Sequence, residues 1–230
     1  MRLNCALVSS FLFVSAVLAA EFGEFGGVMY GWNSPEKVVT YARGRFTVPY
    51  PEVGVNSGFV IGVGLDGHKT CMASLSAGIR VMITEHKVNI EAWSEFAPNV
   101  PNWNPQFTVS SGDILEVTVN VVGFNLTDGH FSIENISTGQ KWSEDITSHE
   151  LPLCKGNAYW GVAIVPGGQS PFANFNQVTF TNTLIKLGFS DPGQQPRDTL
   201  SLLKINQNDH DYTSVNIVLE SYDILVTYIG

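Results

Sequence analysis

The sequence predicts an all-β protein, built as an antiparallel sandwich or barrel. Three observations carry this. Apolar and polar residues alternate in several short runs, which is the signature of half-buried strands. Turn signals separate those runs at regular intervals. No window of a dozen residues shows a helical period. Regular strands with regular turns pack face to face or close on themselves.

The elements follow in order. Ile79, Val81 and Ile83 alternate with Arg80, Met82 and Thr84, and Val88, Ile90 and Ala92 alternate with Lys87, Asn89 and Glu91. Leu115, Val117, Val119 and Val121 alternate with Glu116, Thr118 and Asn120. Phe131 and Ile133 flank Ser132 and precede Glu134, and Val178 and Phe180 flank Thr179. The Val215 to Tyr228 region is rich in Val, Ile and Tyr and splits near Glu220-Ser221. Turns are signalled at Asp66-Gly67, Ser111-Gly112-Asp113, Asp128-Gly129, Thr138-Gly139 and Pro166-Gly167-Gly168. The loosest stretch, Asp191 to Pro196, reads as a loop inside one domain, since no repeat or low-complexity tract divides the chain.

The N-terminus reads as a secretory signal peptide over residues 1–20, leaving one domain over 21–230. Arg2 supplies the positive charge, Leu7 to Leu18 the apolar stretch, and Ala19 and Ala20 the small residues of a cleavage site. The stretch is too short for a comfortable span of about 20 residues, so no membrane association is expected after its removal. Cys5 lies inside the segment; Cys71 and Cys154 remain, the even number that an oxidising compartment favours. The count alone leaves open a bridge or two buried thiols. The sequons Asn125-Leu126-Thr127 and Asn135-Ile136-Ser137 fit a secreted, glycosylated chain.

Lys and Arg number 12 against 21 Asp and Glu, a net charge of -9 that repels phosphate backbones, and no basic cluster offsets it. Nucleic acid is therefore excluded as an expected partner. The 230 residues are 44% hydrophobic and 14% charged, which excludes a disordered chain.

Most catalytic signatures are missing. There is no Gly-x-Ser-x-Gly elbow, P-loop or dinucleotide fingerprint, so no cofactor is expected. The five histidines lack metal-ligand spacing, Asn208 to Asp211 reads as an exposed turn, and no metal is expected. Glu144 and Asp145 are adjacent and would point to opposite faces of a strand. Ser76 has no base near it in sequence and reads as structural. What remains is Asp66, in a tight turn after a strand, and Glu95, on the strand face it shares with Trp93 and Ala97. A carboxylate among aromatics on a sheet face suggests a groove.

The motifs around these residues resemble those of the eqolisins, the fungal acid glutamic peptidases. Phe25-Gly26-Gly27 is similar to the family's Trp-Gly-Gly, Gly64-Leu65-Asp66-Gly67 to its Gly-Ile-Asp-Gly, and Ala92-Trp93-Ser94-Glu95-Phe96 to its Ala-Trp-Tyr-Glu-Trp. Arg45 to Pro49, Glu134 to Gln140, Leu153-Cys154, Asn157-Ala158 and Phe172 to Asn182 add similar blocks in the right order. The resemblance runs from about Phe25 to the C-terminus. It implies a concanavalin-like antiparallel sandwich of two large sheets with a concave substrate groove. It also implies a Cys71–Cys154 bridge, and a chemistry in which a glutamate activates water while a glutamine amide stabilises the oxyanion.

At those two positions the chain departs from the pattern. Leu75-Ser76-Ala77-Gly78 stands where the resemblance implies Leu-Gln-Thr-Gly, and Asn157 to Ala163 ends on alanine where it implies the catalytic glutamate. Tyr159 replaces the family's other glutamate in that run, and Gly62 stands where it implies tryptophan. Loss of a general acid–base costs about 10²–10⁴-fold, and loss of an oxyanion donor about 10²–10³-fold. The expectation is a secreted chain without the Gln/Glu dyad, whose groove binds a peptide, glycan or small apolar molecule. Its candidate lining is Asp66, Ser76, Trp93, Glu95, Phe96, Tyr159 and Ala163, with Trp103, Trp142 and Trp160 as further aromatics. One alternative is an enzyme repurposed for cyclisation or isomerisation of an apolar substrate in a fungal biosynthetic pathway, with Asp66 and Glu95 as its acids. A second is an acid glutamic endopeptidase.

Overall fold

The computed structural model describes residues 20–22, 24–31, 38–52, 56–67, 71–85, 87–154, 156–165 and 171–230. Residues 1–19 of the expected signal peptide, the Pro166-Gly167-Gly168 turn, His68 and His86 lie outside these residues.

Alternation and turns resolve into strands throughout. In chain order they are β1 (Ala20–Phe22), β2 (Phe25–Gly31), β3 (Val39–Thr47), β4 (Ser57–Asp66), β5 (Ser74–Ile83), β6 (Val88–Ala97), β7 (Asn102–Asn104) and β8 (Ile114–Val122). There follow β9 (Asp128–Asn135), β10 (Gln140–Thr147), β11 (Asn157–Ala163), β12 (Gln177–Leu187), β13 (Leu200–Gln207), β14 (His210–Asp211), β15 (Thr213–Val218) and β16 (Asp223–Tyr228). One sheet runs β1-β13-β2-β11-β4-β5-β6-β7, with β14 pairing β13; the other runs β10-β9-β8-β3-β12-β16-β15. Pairing is antiparallel apart from β1 with β13. The split expected near Glu220-Ser221 is the turn between β15 and β16.

The inner faces meet in one core containing Phe46, Phe59, Phe96, Phe131, Phe175, Phe180 and Trp160. Trp160 fits because Gly44 on the facing sheet leaves room for its ring; a Cβ there would lie 2.6 Å from Trp160 Cδ1. The indole N–H is satisfied by donating to the Arg43 carbonyl at 2.8 Å. Cys71 and Cys154 are bridged, with their Cα atoms 5.9 Å apart. The bond joins the segment before β5 to the segment before β11. Both strands carry groove residues.

The two sequons differ. Asn125 is exposed in the turn between β8 and β9. Asn135 is 0% exposed and therefore corrects the expectation of two glycosylation sites. Its amide donates to Asp113 at 2.8 Å and to the Thr108 carbonyl at 3.3 Å. Its carbonyl accepts from the backbone N–H groups of Ser137 and Thr138 at 3.1 and 3.3 Å. A buried amide with all its bonds made is not available to a glycosyl donor.

Candidate functional site

Side chains alternate across a strand, so the register places every second residue of β11, β4, β5 and β6 on the outer, concave face. Three cross-strand rows build the site. The first reads Glu95, Ser76, Gly64, Tyr159, Met29 and Ser201 from β6 to β13. The second reads Trp93, Gly78, Gly62, Gly161, Gly27 and Leu203. The third reads Glu91, Arg80, Val60, Ala163 and Phe25.

The second row is a floor of four glycines on four adjacent strands, roughly 14 Å long at about 4.8 Å per strand. A Cβ at Gly78 would collide with the Ile61 carbonyl, and one at Gly27 with the Trp160 carbonyl. The missing side chains let the strands fold toward this face, which makes it concave. Aromatic rings lean over the remaining bare backbone. Phe25 covers Gly161, Tyr159 lies on Gly64, and Trp93 stands 3.3 Å from where a Gly62 Cβ would be. Phe25 and Tyr159 pack edge to face at 5.4 Å. The cavity holds about 360 Å³, and Met29, Val60, Trp103, Ile164, Val165 and Leu203 supply most of its remaining apolar wall.

The polar groups have distinct environments. Asp66 is buried at the end of β4, with φ 57. Its carboxylate accepts from the backbone N–H groups of Cys154 at 2.7 Å, Gly156 at 2.9 Å and Asn157 at 3.0 Å. It therefore anchors the lead into β11, a positioning role, and its oxygens are committed. It lines the groove as expected, with its carboxylate already accepting three backbone amides. Ser76 is 2% exposed and hydrogen-bonds the Tyr159 hydroxyl. Burial pushes the Tyr159 phenol up to about 12, against the lowering effect of the Ser76 hydrogen bond, so it stays protonated. Glu95, on the other side of Ser76, is half-buried, and loss of water raises its carboxyl above the ordinary glutamate range. It has no hydrogen bond or ion pair among the described residues. The Trp93 indole N–H is also buried with no hydrogen-bond partner among them.

Of the aromatics expected in the groove, Trp93, Trp103 and Tyr159 are there. Phe96 is not: it follows Glu95 on the strand, so it takes the opposite face, and it is 0% exposed in the core. Trp160 and Trp142 are likewise core residues, the latter packed on Phe131 at 4.7 Å. Sequence reasoning missed Phe25, Met29, Arg80, Leu203 and the glycine floor. The glycines were visible one by one, but only the pairing register lines them up. Arg80 ion-pairs with Glu91 on β6, and its guanidinium lies 4.0 Å from the centre of the Trp103 ring. Among the described residues no cluster of His, Cys, Asp or Glu could hold a metal ion.

The peptidase A4 family profile matches residues 25–228. The chain is similar to Aspergillopepsin-2 of Aspergillus niger, with 31% identity over 170 residues, which are 73% of this chain and 58% of that protein. It is also similar to scytalidopepsin B of Scytalidium lignicola, with 26% identity over 219 residues, 91% of this chain and 80% of that protein. Among solved structures, scytalido-glutamic peptidase with a transition state analog inhibitor aligns at TM-score 0.76 and 23% identity, covering 90% of this chain and 98% of that one. Aspergilloglutamic peptidase from Aspergillus niger aligns at TM-score 0.67 and 28% identity, covering 75% and 99%.

Proposed function

The chain belongs to the peptidase A4 family, and from that premise we propose a secreted member that has lost the Gln/Glu dyad and uses its groove to bind a small apolar molecule. The observation that carries the reading is what stands around Gly62: Ser76 on one side, Ala163 on the other, and aromatic rings over the floor. The two positions are two strands and four residues apart in register, roughly 16 Å between Cα atoms. Across such a gap a serine hydroxyl and an alanine methyl do not act together on one water. Ala163 neither takes nor gives a proton, and Ser76 is occupied by Tyr159. The wall is mostly apolar, with a few convergent polar groups, which is the usual character of a small-molecule site. The disulfide supports an oxidising compartment, and the expected signal peptide supports export.

The test is binding of the neutral fluorescent probe N-phenyl-1-naphthylamine. The wild-type chain should bind it saturably, and Ala163→Trp, which fills the cavity from its wall, should weaken binding at least tenfold. Equal binding by both proteins would place the probe elsewhere and overturn the reading. In the repurposed-enzyme reading, Glu95 carries the proton chemistry alone, because Asp66 is held by three amides.

A further inference from the structure

Two carboxylates line the groove, and only one is spoken for. Asp66 accepts three backbone amides. Glu95 has no partner among the described residues, although it stands half-buried beside an apolar cavity. The guanidinium on the same wall does not serve it, since Arg80 is paired with Glu91 and stacked on Trp103. Burying a carboxylate without a counter-charge is costly. Aromatic surface flanks it: Trp93 is the next groove-facing residue on the same strand, and Trp93 pairs with Trp103 across β7. Aromatic faces attract cations.

We propose that the groove takes an organic ammonium ion, with its apolar body on the glycine floor and its cationic head against Glu95 and the Trp93 ring. This rests on the ligand-binding reading of the groove and specifies the ligand class. The charge complementarity predicts a pH dependence. The ionisable groups facing Glu95 are Tyr159 on β11, Asp66 on β4, Arg80 on β5 and Glu91 on β6, with Glu144 of β10 reaching Asn102 on β7. Tyr159 remains a neutral phenol across the range. Glu95 keeps its proton to higher pH than an ordinary glutamate, so cation affinity rises with pH as it ionises.

The experiment compares phenyltrimethylammonium with its uncharged carbon analogue tert-butylbenzene by calorimetry in about 0.15 M salt. The cation's charge does not titrate. At about pH 7 it should bind at least tenfold more tightly than the neutral analogue. That preference should vanish at about pH 4, and in Glu95→Gln at either pH, while tert-butylbenzene binds wild type and variant alike. Glu91→Gln, which leaves Glu95 intact, should keep the preference. Equal affinity of the two probes for wild type at about pH 7, or a preference that survives Glu95→Gln, overturns the ammonium assignment and leaves the apolar groove standing. Failure of both probes to bind overturns the groove reading and the assignment together.

Discussion

Three backbone amides converge on the Asp66 carboxylate, and none reaches Glu95. Asp66→Ala removes the acceptors of three backbone donors and puts a Cβ-only residue at positive φ. It should destabilise the fold by about 4 kcal/mol, read as a lowered midpoint in urea denaturation. A loss below about 1 kcal/mol would mean that the lead into β11 holds without it. The sequons are a second test at this scale. After expression in a eukaryotic secretory host, mass spectrometry should find a glycan on Asn125 and none on Asn135, whose amide is enclosed. A glycan on Asn135 would show that β9 is not packed as described. The sequence made Asp66 and Glu95 look alike, as acids beside aromatics. Their difference lies in contacts with residues about 90 positions away, beyond the reach of local pattern.

At the scale of elements, the glycine floor decides the shape of the groove. Gly78→Ala drives a methyl into the Ile61 carbonyl and the Gly62 Cα, both backbone atoms that cannot rotate away. It should cost about 3 kcal/mol and flatten the sheet, so that probe binding falls with stability. A neutral Gly78→Ala would show that the glycine floor does not set the curvature of the sheet. The alternating strands β5, β6, β8 and β9 were legible because each has one mixed face. β4 and β11 were harder to read. Both carry glycine where alternation would need a side chain, and β4 is buried almost throughout. The placement of Phe96 shows the same rule from the other side: strand period two assigns it to the core once Glu95 is assigned to the groove.

For the whole molecule, the acids pull stability in opposite directions. The raised Glu95 carboxyl contributes stability below the unfolded glutamate range, and this is lost as pH rises through its folded value. Asp128 is lowered by hydrogen bonds from Asn125 and Thr147, and Asp211 by those from Lys204 and Asn206. Their contributions hold above the unfolded aspartate range and fade as pH falls through the folded values. Glu95→Gln should therefore raise Tm more at about pH 7 than at about pH 3. An equal rise at both would mean that Glu95 is not desolvated. The sandwich of two sheets and the Cys71–Cys154 bridge followed from the motif resemblance, since periodicity alone did not separate sandwich from barrel. The cavity was not legible, because its walls come from seven strands.

The most direct measurement is digestion of a denatured protein at acid pH by the purified mature chain, beside an active glutamic peptidase as positive control. With the wild-type chain the substrate should stay intact. Cleavage by the wild-type chain that disappears in Glu95→Gln would contradict it, because a carboxyl outside position 163 would then be activating water in this groove.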